Sequence, residues 1–114
     1  MLVRHSYGSG AWALPGGGCG RNEDPDEAIR REIREELAVE LVDLELLVAM
    51  EETISGAPHT AYVFAAQLSG EPVRDGREII AAQFFDLDAL PSPLSIFAER
   101  RLAYWQGRAA AGAL

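Results

Sequence analysis

The stretch DPDEAIRREIREEL at residues 24–37 constrains the fold most, because it opens with unusually clear helix signals. Asp24 can serve as N-cap and Pro25 as the first helical residue, while Glu27, three residues after the cap, completes a capping box. A helix from Pro25 to Leu37 is expected. At about 100° per residue, Ile29, Ile33 and Leu37 fall within about 80° of one another and form an apolar stripe. Glu32, Glu35 and Glu36 fill an adjacent arc of about 100°, and Arg30, Arg31 and Arg34 lie on the other side of the stripe.

Solvated helices usually mix signs along a face to gain pairs one turn apart. Here three carboxylates share one sector beside a face expected to be buried. Two such charges about 4 Å apart repel by roughly 4 kcal/mol at an effective dielectric near 20. Protonation relieves this, and so does a cation. Several carboxylates with no softer ligand suit Mg²⁺, Mn²⁺ or Ca²⁺. The plain alternative is an ordinary solvated helix, since Glu/Arg-rich helices are common.

The segments around this helix read as strands: LVRH at 2–5, a stub WAL at 12–14, one long or two short strands in 39–54, TAYVFAAQLS at 60–69 and IIAAQFFDL at 79–87. YGSG at 7–10 and SGAPH at 55–59 read as turns, and 70–78 as a loop. A final helix begins with Ser92 or Ser95 as cap and stops at Gly107, with Leu94, Ala98, Leu102 and Trp105 as its buried stripe and AAAGAL as a loose tail. Strands mixed with two helices predict one layered α/β or α+β domain over residues 1–114.

The chain has 114 residues and 48% hydrophobic content, enough for a core without disulfide staples. Its single cysteine, Cys19, excludes an internal disulfide and fits a reducing cytosol. The N-terminus has no signal-peptide pattern and no apolar run is long enough to span a bilayer. A soluble cytoplasmic protein without a membrane partner is expected. The net charge of −8 argues against binding duplex nucleic acid. All ten basic residues are arginines, whose forked donors suit phosphate, but a preference that runs through the whole chain reads better as genome composition.

Upstream of the helix, Gly16, Gly17 and Gly18 let the backbone approach a ligand closely. Their carbonyls can ligate a hard cation and their N–H groups can cradle phosphate. Arg4, Arg21, Arg74 and Arg77 could touch phosphate, although each alone reads better as a solvated arginine. Trp12 and Tyr62 could stack on a base, and Trp12 could equally pack under the glycine loop. Cys19 has no histidine near it in sequence and reads as a small filler. Trp105 reads as core.

The spacing of loop and helix resembles the Nudix hydrolase family. The family's box is Gly, five residues, Glu, seven residues, Arg-Glu, an apolar residue, any residue, Glu-Glu, any residue, Gly and an apolar residue. Gly17, Glu23, Arg31, Glu32, Ile33, Glu35, Glu36 and Val39 fit it in register. WALPGG resembles the family's lead-in, and EIIAAQFFDLDALP at 78–91 its last strand and exit turn.

The resemblance implies an α/β/α sandwich with a mixed β-sheet, and cleavage by water and Mg²⁺ or Mn²⁺ of a nucleoside diphosphate linked to another group. Glu35 and Glu36 would be the principal metal ligands, Glu32 a ligand or general base, and the Gly16 carbonyl a further ligand. Arg31 would hold the glutamates, with Glu23 fixing the loop. Glu78 would be a base or added ligand. Arg4, Gly17, Gly18 and Arg21 are the candidate substrate contacts.

Four positions depart from the family pattern. Ala38 replaces the closing Gly, so the exit turn must differ or bear strain. Asn22 replaces a common Gly but tolerates the left-handed region. Gly20 stands where many members have Glu, and Phe84 where Trp is frequent. The expected substrate is a nucleoside triphosphate or small nucleotide-sugar. The alternative is a Nudix-like module that senses a nucleotide without cleaving it, against which the intact Glu32, Glu35 and Glu36 argue. Family members usually have a further strand before the one matched by LVRH. Residues 1–5 are therefore expected to form an open edge, which either an upstream segment or a second copy in a homodimer would cover.

Overall fold

The structure, a computed structural model, describes residues 1–16, 19, 22–74 and 76–112, with the backbone alone for 108–112. Its elements are β1 (Leu2–His5), β2 (Trp12–Ala13), α1 (Pro25–Leu37), β3 (Leu41–Ile54), β4 (Ala57–Leu68), β5 (Ile79–Gln83) and α2 (Ile96–Gly112). The chain divides into two compact units, one of Met1–Gly16 with Val73–Leu114, the other of Gly17–Pro72.

In the first unit β1 is the central strand of a sheet ordered β2-β1-β5, antiparallel on both sides. Val3 stands opposite Ala13 on one side and Ala82 on the other. The expected open edge at residues 1–5 is therefore corrected. Both flanks of β1 are hydrogen-bonded to neighbours, and its apolar pair Leu2–Val3 is buried. With it goes the reason for expecting a second copy there. Trp12 extends the pairing by a parallel bridge to Leu94, its N–H bonded to the Pro93 carbonyl and its carbonyl to Ser95 N–H.

α2 starts at a genuine cap. Ser95 Oγ accepts the N–H of Ala98 at 3.1 Å, and the Ser95 carbonyl accepts that of Glu99. The helix continues through Gly107 to Gly112, so neither the expected stop nor the whole of the loose tail is present. One glycine costs a helix only about 1 kcal/mol, which the alanines around it offset. Ala98 is buried, while Leu94, Leu102 and Trp105 are half-buried. β5 ends at Gln83, four residues short of the expectation, and Phe84 is exposed.

In the second unit β3 and β4 form one long antiparallel hairpin. Its turn is Ser55 and Gly56, both with positive φ (53° and 80°), the backbone that matches the twist of paired strands. Ala57, Pro58 and His59, expected in the turn, belong to β4 and stand opposite Ile54, Thr53 and Glu52. The segment 39–54 makes one strand rather than two. Its ladder is interrupted between Val42 and Glu45, where Asp43 is left-handed, and between Leu46 and Val48.

α1 has the bounds its sequence signals predict. Asp24 occupies the N-cap position, but its side chain makes no cap hydrogen bond, so the expected capping box is not formed. Pro25, which needs no N–H partner, begins the helix. No helix among the described residues is long and apolar enough to cross a membrane.

Candidate active site

Burial along α1 shows which arc of the helix is covered. Ala28, Ile33, Glu36 and Leu37 are buried, while Ile29 is half-buried. The covered face thus extends from the apolar stripe into the carboxylate arc. Glu36 is 8% exposed and the Glu32 side chain 17%, whereas Glu35 keeps 59%. Shielded carboxylates are costly unless they are compensated.

Arg31 supplies part of the compensation. Its Nε and Nη2 donate to Oε2 and Oε1 of Glu23 at 2.8 and 3.0 Å, a bidentate fork across the start of the helix. Its Nη1 reaches Glu32 Oε1 at 2.9 Å and Glu35 Oε2 at 3.3 Å, one oxygen of each. The hydrogen bonds to Glu23, and then to Glu32, hold the guanidinium more firmly protonated than usual. Arg31 thus holds the glutamates as the motif implies, and it also grips Glu23 of the loop. Cys19 adds a second tie, its Sγ donating to the Glu23 carbonyl at 2.8 Å.

The other arginines of the basic arc grip the strand that follows. Arg30 Nη1 donates to the Leu41 carbonyl at 2.9 Å, and Arg34 forks onto Glu40 at 2.7 and 3.0 Å. Sorting the charges into sectors therefore has a structural reason. The basic arc ties α1 to the loop before it and the strand after it.

Ala38, in the box's Gly position, adopts the left-handed conformation (φ 56°, ψ 35°), and its N–H bonds to the Arg34 carbonyl at 3.0 Å. The exit turn keeps the geometry a glycine would have, and the alanine bears the strain. Asn22 is likewise left-handed, at φ 62°.

Of the other candidates, Gly17, Gly18, Gly20 and Arg21 lie outside the described residues. Gly16 has φ 135°. Glu78 is exposed, and its carbonyl accepts Ser6 N–H at the start of β5. Arg4 donates Nε to the Gly10 carbonyl at 3.0 Å and lies over the Trp12 ring, 5.7 Å from its centroid. Trp12 meets Phe85 edge-on at 5.0 Å. Arg74 donates to the Ile80 carbonyl. One carboxylate stands out that sequence spacing did not mark, Glu52 on β3, 4% exposed. A strand of alternating residues with Glu51 and Glu52 side by side carries no sign of which one is covered.

As a donor set, Glu32, Glu35 and Glu36 offer only carboxylate oxygens from one helix arc, which is the chemistry a hard divalent cation prefers. Among the described residues no three His, Cys, Asp or Glu side chains already converge on one point as a cage. Two of the three carboxylates are drawn to Arg31.

Comparison with known proteins shows the family. The NUDIX domain family model matches residues 1–106. A Mycobacterium tuberculosis protein named as an 8-oxo-dGTP diphosphatase is 33% identical over 96 residues, which are 79% of this chain and 68% of that protein. The crystal structure of a MutT NUDIX hydrolase from Burkholderia pseudomallei superposes with a TM-score of 0.81 at 32% identity, over 90% of this chain and 84% of that one. A UDP-X diphosphatase superposes with a TM-score of 0.69 at 27% identity, over 94% of this chain and 56% of that one. The chain belongs to the Nudix hydrolase family and has its α/β fold. It is a pyrophosphohydrolase, an enzyme acting on phosphoric anhydride bonds.

Proposed function

We propose that this enzyme cleaves the pyrophosphate linkage of a small nucleotide, a nucleoside triphosphate or small nucleotide-sugar, with a divalent cation, Mg²⁺ or Mn²⁺. The observation that carries the reading is the Arg31 fork, one guanidinium engaging Glu23, Glu32 and Glu35 at 2.8–3.3 Å beside the buried Glu36. Relatives named for 8-oxo-dGTP and UDP-X support a small nucleotide as substrate. The family model and the structural likeness run through both compact units, which supports a single catalytic domain.

Glu35 and Glu36 are the principal ligands in this reading, with Glu32 a ligand or the general base. Gly16 as a carbonyl ligand and Glu78 as a base or added ligand rest on the register of the motif alone, as do Gly17, Gly18 and Arg21 as phosphate contacts. When bound, the cation neutralises phosphate oxygens and lowers the pKa of a ligated water. Arg31 keeps Glu32 and Glu35 in one sector by binding one oxygen of each, which offsets their mutual repulsion. Glu32 is the better shielded of the two, which suits a group that accepts a proton from water near phosphate oxygens. Glu35 is open to an incoming ion.

The test is a panel of 8-oxo-dGTP, unmodified deoxynucleoside triphosphates, UDP-sugars and ADP-ribose, each with Mg²⁺ or Mn²⁺, read by chromatography of the nucleotide products. Hydrolysis of one class, abolished by chelator, is expected. No turnover on any member, or turnover that persists in chelator, contradicts the reading.

A further inference from the structure

We infer that the Arg34–Glu40 clasp is a positioning device that holds Glu35 and Glu36 in place for the cation, an inference that rests on the metal reading above. Arg34 acts twice at the exit of α1. Its carbonyl accepts the N–H of the left-handed Ala38, and its guanidinium forks onto Glu40 beyond that turn. Glu40 is then fixed on two further sides, its N–H donating to Ser69 Oγ at 3.0 Å and its carbonyl accepting Ser69 N–H at 2.9 Å. The clasp thus joins the last turn of α1 to the far end of the hairpin. Glu35 and Glu36 sit in that turn, directly between Arg34 and the strained residue. A left-handed alanine tends to relax toward an ordinary conformation. Relaxation of Ala38 would rotate the turn that carries both acids, and the clasp opposes it. The ion pair is exposed, with side chains 58% and 52% accessible, so its value lies in geometry more than in stability.

Mn²⁺ binding to the metal-free protein, measured from the spin-resonance signal of free Mn²⁺, separates positioning from charge. Loss of a positive charge by Arg34→Gln should tighten cation binding if the clasp acts only through its field. Positioning requires the opposite, a weakening of about threefold to tenfold in Arg34→Gln, the variant in which field and positioning act in opposite directions. Adding Ala38→Gly to Arg34→Gln should restore affinity to within about twofold, because the strain the clasp opposes is gone. Thermal midpoints should fall by less than about 4 °C, which identifies folded variants. Tighter or unchanged binding in Arg34→Gln, with binding lost in Glu36→Gln, overturns the clasp and leaves the metal reading standing. Wild-type affinity in Glu36→Gln overturns the metal reading and the clasp with it.

Discussion

Arg31 and Glu23 meet through two parallel hydrogen bonds of 2.8 and 3.0 Å, joining the start of α1 to the loop before it. The same guanidinium reaches two more carboxylates, Glu32 and Glu35, while its neighbour Arg30 has a single bond to a strand carbonyl. Lysine keeps the charge but cannot reproduce a fork. Arg31→Lys should therefore lower kcat/KM by about tenfold or more, as is typical when a group that orients metal ligands is lost. Arg30→Lys should change it by less than about threefold on the same grounds. Equal losses in steady-state kinetics would show that Arg31 has no special part.

The left-handed Ala38 carries strain that glycine would not. Ala38→Gly should stabilise the fold by about 1 kcal/mol, the order of cost of that conformation for a residue with a Cβ. That corresponds to a rise in Tm of about 4 °C for a domain of this size. A calorimetric Tm that stays put or falls would mean that the turn is not strained.

The two helix starts differ in a way that mutation can read. Ser95 Oγ caps α2 at 3.1 Å from Ala98 N, whereas Asp24 makes no side-chain cap on α1. Ser95→Ala should cost about 1 kcal/mol and Asp24→Ala less than about 0.5 kcal/mol in denaturant unfolding. The reverse order would contradict the cap assignment.

These contrasts mark how far the sequence is legible. The bounds of α1 follow from Asp24, Pro25 and a strong 3.6-residue period, all local signals. The Arg31–Glu23 tie was legible in part, since the wheel turns Arg31 away from the apolar stripe and the motif sets Glu23 in the loop before it. The neighbours of β1 were not, because pairing of Leu2 with Gln83 spans most of the chain and depends on the whole sheet. Nor was the run of α2 through Gly107, where a modest local penalty loses to the surrounding alanines. For Ala38 the sequence leaves a choice between strain and a different turn, and its left-handed backbone (φ 56°, ψ 35°) decides for strain.

Glu40 adds a pH dependence of defined sign. The Arg34 hydrogen bond lowers its carboxyl pKa below the ordinary value. A depressed carboxylate contributes stability above the unfolded pKa and loses it as pH falls through the folded one. The Tm difference between wild type and Glu40→Gln should thus be largest at neutral pH and close as the pH drops through and below the ordinary carboxylate range. A difference that is constant with pH, or that grows in acid, would show that the ion pair does not form in solution.

The central claim is that the carboxylates of α1 carry a cation on which hydrolysis depends. The most direct measurement is nucleotide turnover by wild type and Glu36→Gln as Mg²⁺ is titrated, with circular dichroism confirming that both are folded. The account predicts saturable activation of the wild type, none in chelator, and a loss in Glu36→Gln of at least about a hundredfold, since even an outer-shell partner of a ligand costs up to about that much when removed. Wild-type turnover in Glu36→Gln, or activity indifferent to chelator, would contradict it.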